Sequence, residues 1–198
     1  MREHEFWSLI RTARRRRRRH SGIDDGTDAV QTIAVLEHLL GDRPLADIIG
    51  FQHALAGVHA RAHRWDLWTA FGLALGGADH DRFHDGVAWL VLQGRRTYRR
   101  VLAEPDALAE FRIQRVDLQA GGLLIDLTRD LLYIDEDMEL TATLDLLLGD
   151  VDPPDPPPGD PPTYDLAALR RRYPRLVRER VPPGADALAA FVNGAVLR

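Results

Sequence analysis

Lysine and cysteine are both absent from the 198 residues, serine occurs only as Ser8 and Ser21, and asparagine only as Asn193. Each gap removes a class of chemistry. Without lysine there is no Schiff base, no pyridoxal anchor and no lysine for a Walker-type phosphate loop. Without cysteine there is no thiol nucleophile, disulfide, iron–sulfur cluster or thiolate zinc site. Neither serine lies in a Gly-x-Ser-x-Gly turn, so an α/β-hydrolase arrangement has no nucleophile. Long apolar runs are missing as well, none approaching the roughly 20 residues of a membrane span. The N-terminal stretch is acidic and aromatic, then arginine-rich, and lacks the apolar core and cleavage site of a secretory signal. A cytoplasmic location is expected, and the absence of cysteine agrees with it.

What remains for chemistry is 26 arginines, 22 aspartates, eight glutamates, eight histidines and four tyrosines, with a net charge of −4. That acidic balance argues against a general nucleic-acid or membrane-surface binder, whose footprint is basic overall. A hydrophobic content of 45% is enough to bury a substantial core at this length. Arginine without lysine, beside abundant Ala, Gly, Pro, Asp and Leu, reads as the imprint of a GC-rich genome.

Helical periodicity dominates the chain. Phe6, Leu9, Ile10 and Ala13 recur at helical spacing behind Glu3 and Glu5, which favour a helix start, and the run Arg14 to Arg19 continues that helix. Gly22 ends it. Asp24 or Asp25 caps a second helix carrying Ala29, Ile33, Leu36, Leu39 and Leu40, closed by Gly41. Pro44 opens a third, whose stripe runs through Ile48, Gln52, Leu55 and His59 to Trp65, Trp68 and Phe71, with a break between His63 and Asp66. Asp79 is an N-cap for a helix that turns Phe83, Val87, Leu90 and Val91 inward, and Gly94 separates it from Tyr98, Val101 and Leu102. Pro105 and Asp106 open a short helix through Phe111. From Arg115 the signal is mixed. Ile113, Val116 and Leu118 alternate as in a strand, whereas Leu123 to Ile134 fits a helix from about Gly122 to Asp135, followed by another over Thr141 to Leu148. Seven prolines and four aspartates between Asp150 and Pro162 predict an extended, solvated linker. Beyond it, Tyr164 to Tyr173 and Ala185 to Leu197 suggest two short helices. The fold class expected is all-α: an irregular multi-helix bundle over residues 1–149, a Pro/Asp-rich linker over 150–163 and a C-terminal helical arm over 164–198.

Two His-x-x-x-His pairs, His59 with His63 and His80 with His84, place imidazoles four apart on one helix face, a spacing that chelates a metal. If their helices pack together, four imidazoles meet. The general-base glutamate of a His-Glu-x-x-His site is missing from both pairs, and the competing reading, solvated or core histidines, is favoured. Asp79, Asp81 and Asp85 offer oxygen ligands or paired carboxylates, although Asp79 is more simply a cap. Asp24, Asp25 and Asp28 carry the same double reading. Arg14 to Arg19 suits phosphate oxygens, but no aromatics interleave to stack bases, and a solvated helix end paired with the acidic linker explains the run equally well. Trp65, Asp66 and Trp68 lie in an apolar, histidine-bordered stretch that is core or the lining of a pocket.

The stretches from His63 to Phe71, from Gly76 to Phe83 and from Ala88 to Arg95, together with Glu5-Phe6-Trp7, the segment after Leu102 and Tyr173-Pro-Arg-Leu, resemble a bacterial family known as domain of unknown function 4240. The likeness covers residues 3–111 and a patch over 164–176. Members of that family read Gly-Gly-Cys-Ser-Asp-Asp-Gly-Phe where this chain keeps only Gly76, Gly77, Asp81 and Phe83. Ala78 replaces the cysteine, Asp79 the serine, His80 the first aspartate and Arg82 the glycine. The family's aromatic pair falls on Asp85 and Gly86, and its arginine on Val87. The resemblance implies a small, mainly helical cytoplasmic protein, brings no established reaction, and favours a binding role because relatives are joined to regulatory-type domains.

Three functional readings follow. The first is a non-catalytic binding or regulatory module that receives a protein or small ligand through Trp65, Asp66, Trp68, Asp81, Phe83 and Trp89. The second is an enzyme that uses Asp66, Asp81, His80, His84 and His63 on a small polar or phosphorylated substrate. It is metal-dependent if His59, His63, His80 and His84 hold a divalent ion. The third is nucleic-acid contact through Arg14 to Arg19.

Overall fold

Glu3 and Glu5 occupy the first turn of α1 (Glu3–His20), where negative charge faces the positive end of the helix dipole, and Glu3 accepts a hydrogen bond from Trp7 Nε1 at 3.1 Å. The helix buries Phe6, Leu9, Ile10 and Ala13, the stripe its spacing predicts. The computed structural model describes residues 1–20, 28–132, 138–151, 153, 156–159, 161 and 165–181. Gly22, the caps expected at Asp24 and Asp25, and the helix expected over Ala185 to Leu197 lie outside them. Among the described residues there are ten α-helices, one 3-10 helix and no strand. None of these helices is long and apolar enough to cross a membrane.

Helix α2 (Asp28–Gly41) packs Ala29, Ile33, Leu36 and Leu40 against α1 and the later α7. Pro44 is the N-cap of α3 (Leu45–Ala62), one residue earlier than its role as first helical residue would place it. The expected break falls at His63 and Arg64, and α4 (Trp65–Leu75) ends on Gly76 in the left-handed conformation. Asp79 caps α5 (His80–Leu92) by accepting from Arg82 N at 3.0 Å. From Phe83 to Leu92 every residue of α5 except Asp85 is buried. A helix apolar on all sides belongs in the middle of a bundle, and α5 packs on α3, α4, α7 and α6 (Arg95–Ala103). A 3-10 helix (Pro105–Glu110) follows.

Helix α7 (Arg115–Leu132) begins about two turns before the start read from sequence, and the strand-like alternation of Val116 and Leu118 is not realised. Two causes are visible. Asp117 reaches back to accept from Gln114 N at 2.9 Å, half of a capping box. Gly121 and Gly122 are where α7 crosses α5: a Cβ on Gly121 would stand 2.0 Å from the Asp85 carbonyl oxygen. Buried Gln52 ties three elements, accepting from Thr128 Oγ1 on α7 and donating to the Gly149 carbonyl after α8 (Met138–Leu148) at 3.3 Å.

The C-terminal segment docks on α4 and the 3-10 helix. Asp165 caps α9 (Leu166–Arg172), and Pro174 starts α10 (Pro174–Arg180). The first amides of α10 are held by the Asp106 carboxylate, from Arg175 N at 3.0 Å and Leu176 N at 2.9 Å. Tyr173 Oη donates to the Asp66 carbonyl at 2.9 Å, and Arg180 to that of Phe111 at 2.7 Å. Within residues 150–163, Val151 and Pro157 are buried and the Gly159 carbonyl accepts from Trp65 Nε1 at 3.0 Å, so the segment expected to be fully solvated touches the bundle at these points.

Candidate functional site

The end of α3 and the start of α5 come together, and the two histidine pairs meet. The His84 ring lies 5.5 Å from His63, 4.5 Å from His80 and 5.9 Å from His59, the last stacked with planes 10° apart. Aromatic rings enclose this group. Trp68 stacks on Phe83 at 4.3 Å, Phe71 meets Phe83 edge-on at 5.8 Å, and His63 sits 6.0 Å from both Trp68 and Phe83. His59, His63 and His84 are no more than 3% exposed, whereas His80 and Asp81 face solvent. Among the described residues no group of three His, Asp or Glu is arranged to hold a metal ion. The cluster is an aromatic and imidazole core that reaches the surface at His80.

The remaining sequence candidates separate. Asp66 is half-buried and pairs with Arg64 at 3.1 Å and Arg172 at 3.8 Å, so its charge serves the seam with the C-terminal segment. Trp65 lies at the rim, 6.3 Å from Trp68, with its indole N–H on Gly159. Trp89 is buried toward the other end of α5 against Phe111, 5.6 Å away.

A second arrangement gathers charge of one sign. Between α1 and the start of α6 lies a solvent-open groove of about 880 Å³, lined by Arg11, Arg14, Arg95, Arg96, Arg99 and His4. No carboxylate is among the described residues that line it. Glu3 stands at its edge, 3.9 Å from Arg95. Gly94 sits between the two arginine banks at φ +90°, and a Cβ there would come within 2.3 Å of Arg14 Nη1. Glycine therefore both permits the turn and makes room for the Arg14 guanidinium against the start of α6. Tyr98 locks α6 in place: it is buried, donates to the Val58 carbonyl at 2.8 Å, and burial pushes its phenol up to about 12.

The arginine run flagged in the sequence thus splits by helix face. Arg14 turns to the groove. Arg17 is buried and paired with Asp28 at 2.6 Å, and Arg16 lines a separate hollow beside Glu5 and Asp47. The sequence reading did not single out Arg95, Arg96 and Arg99. Their signal is a short helix after a glycine whose buried side is only Tyr98 and Val101, leaving the arginines on the outer face.

An all-α bundle built around a buried central helix, with an arginine groove on one flank, is the class that fold and surface define. The chain belongs to the family described as Protein of unknown function (DUF4240), whose model matches residues 1–136. The resemblance patch over 164–176 falls outside that match. No curated protein and no solved structure matches the chain.

Proposed function

We propose that the protein is a non-catalytic binding module whose ligand is anionic and sits in the groove between α1 and α6. The observation that carries this reading is a cavity of about 880 Å³ with five arginines and no lining carboxylate among the described residues. Like charges gathered in one concavity repel one another, and a bound anion relieves that repulsion while accepting from several guanidinium forks at once. The histidine and aspartate candidates support binding over catalysis, since three of the imidazoles are buried among aromatic rings and Asp66 and Asp79 are engaged as ion-pair partner and helix cap. The same reading assigns a helical domain over 1–149, a connection over 150–163, an arm over 164–198 and a cytoplasmic location.

Thermal melts at low ionic strength test it. Sulfate and inorganic phosphate should raise the melting temperature above that in chloride at equal ionic strength, and an Arg96→Ala, Arg99→Ala variant should lose the increment. Equal melting curves in all three salts would remove the groove as an anion site.

A further inference from the structure

Resting on that reading, we propose that the groove takes a small molecule carrying two or more linked phosphoryl groups. The first argument is stoichiometric. Each guanidinium presents a planar fork that pairs with two oxygens. A single terminal phosphoryl group has three free oxygens and is filled by about two such forks, whereas five arginines line this groove.

The second argument is placement. Arg11 and Arg14 stand on α1, and Arg95, Arg96 and Arg99 on α6, so the charges form two banks with the α6 N-terminus between them. Gly94 supplies no side-chain cap to that helix, and the amides of a first helical turn point toward an anion. The glycine also admits Arg14 to the same spot. A chain of phosphoryl groups lying from Arg14 across the helix start to Arg99 engages both banks. The volume fits, being within the range of about 300–1,000 Å³ typical of small-molecule sites.

Trp7 contributes to the lining but is only 5% exposed, gives its indole N–H to Glu3 and packs on Phe6 and Tyr98. Among the described residues no open aromatic face lines the groove for a base to stack on, which separates this site from single-strand nucleic-acid grooves. Recognition therefore rests on the phosphoryl groups and is indifferent to what they are attached to.

The test is isothermal titration of the full chain at low ionic strength with inorganic phosphate, pyrophosphate, tripolyphosphate, ATP, UTP and a short RNA oligonucleotide. Affinity should rise by about tenfold per added phosphoryl group from phosphate to tripolyphosphate. ATP and UTP should bind alike. Arg14→Gln and Arg99→Gln, on opposite banks, should each weaken tripolyphosphate by about tenfold at unchanged melting temperature, whereas Arg171→Gln, on α9, should not. Phosphate as tight as tripolyphosphate would overturn the multi-phosphoryl proposal and leave the anion groove standing. Absence of any binding, or binding untouched by the two groove variants, would overturn both. RNA binding more tightly than tripolyphosphate in a groove-dependent way would replace the small molecule with a nucleic-acid backbone.

Discussion

Removing one hydroxyl, in Tyr98→Phe, is the sharpest probe of how the groove is held. Tyr98 is 2% exposed, and its hydroxyl donates to the Val58 carbonyl at 2.8 Å, pinning α6 to α3. At neutral pH the variant loses a buried neutral hydrogen bond, worth about 1 kcal/mol. Alkali reverses the order. Burial raises the Tyr98 phenol from 10.0 to about 12, so above pH 10 the unfolded chain ionises this group while the folded chain holds it neutral. Its contribution is complete below the unfolded value and lost as pH rises through the folded one, a decline of about 2.7 kcal/mol over the whole interval. The variant lacks that decline. Its urea-unfolding stability should therefore lie about 1 kcal/mol below the wild type at pH 8, equal it near about pH 10.7, and exceed it beyond. Parallel stability curves from pH 9 to pH 12 would refute the reasoning, because they would mean that Tyr98 ionises as easily folded as unfolded.

Two further substitutions test the packing. Gly121→Ala drives a methyl group into the Asp85 carbonyl at 2.0 Å, backbone against backbone, and should cost about 1–3 kcal/mol in urea unfolding; at Gly122 the near neighbour is the movable Asp85 carboxylate at 3.1 Å, so Gly122→Ala should cost much less. Asp106→Ala strips the cap from the amides of Arg175 and Leu176 and should cost the C-terminal segment about 1–2 kcal/mol, read as faster proteolysis within residues 165–181 while the bundle stays protected.

Some helix starts were legible where a short polar side chain closes a local hydrogen bond, although the one that Asp117 closes before α7 was not. Asp79 before α5 is the clearest case, and the apolar stripe of α1 follows equally well from spacing alone. Gly121 and Gly122 show where such reading stops. A glycine that breaks a helix and a glycine that lets two helices touch are identical in one dimension, and only the Asp85 carbonyl on another helix tells them apart. Trp68, Phe83 and the histidines illustrate a related limit. Spacing puts each histidine pair on one helix face, but what surrounds the meeting point is decided by helix packing, which here sets Trp68 and Phe83 beside His63 and His84.

The arginine groove escaped the sequence for a different reason. Arg14 and Arg99 are distant along the chain, and each has a sufficient local explanation: charge at the end of a long helix, or the outer face of a short one. A compositional bias toward arginine makes both explanations cheap. What composition cannot account for is a described lining without acid. In a chain with more carboxylates than arginines, most of the ion-pairing arginines elsewhere on the surface meet Asp or Glu, as Arg129 does with Asp145 and Asp150, and Arg175 with Glu110. Glu110 shows the result, its carboxyl held below the usual range by Arg175 and Arg100. Around Gly94 five arginines converge on one concavity whose described lining has no carboxylate, with Glu3 at its edge 3.9 Å from Arg95. Genome bias raises the number of arginines everywhere; it does not sort them away from the aspartates that the same bias supplies. Segregation of charge, more than its amount, is what a ligand would select, and it is a property of the folded surface alone.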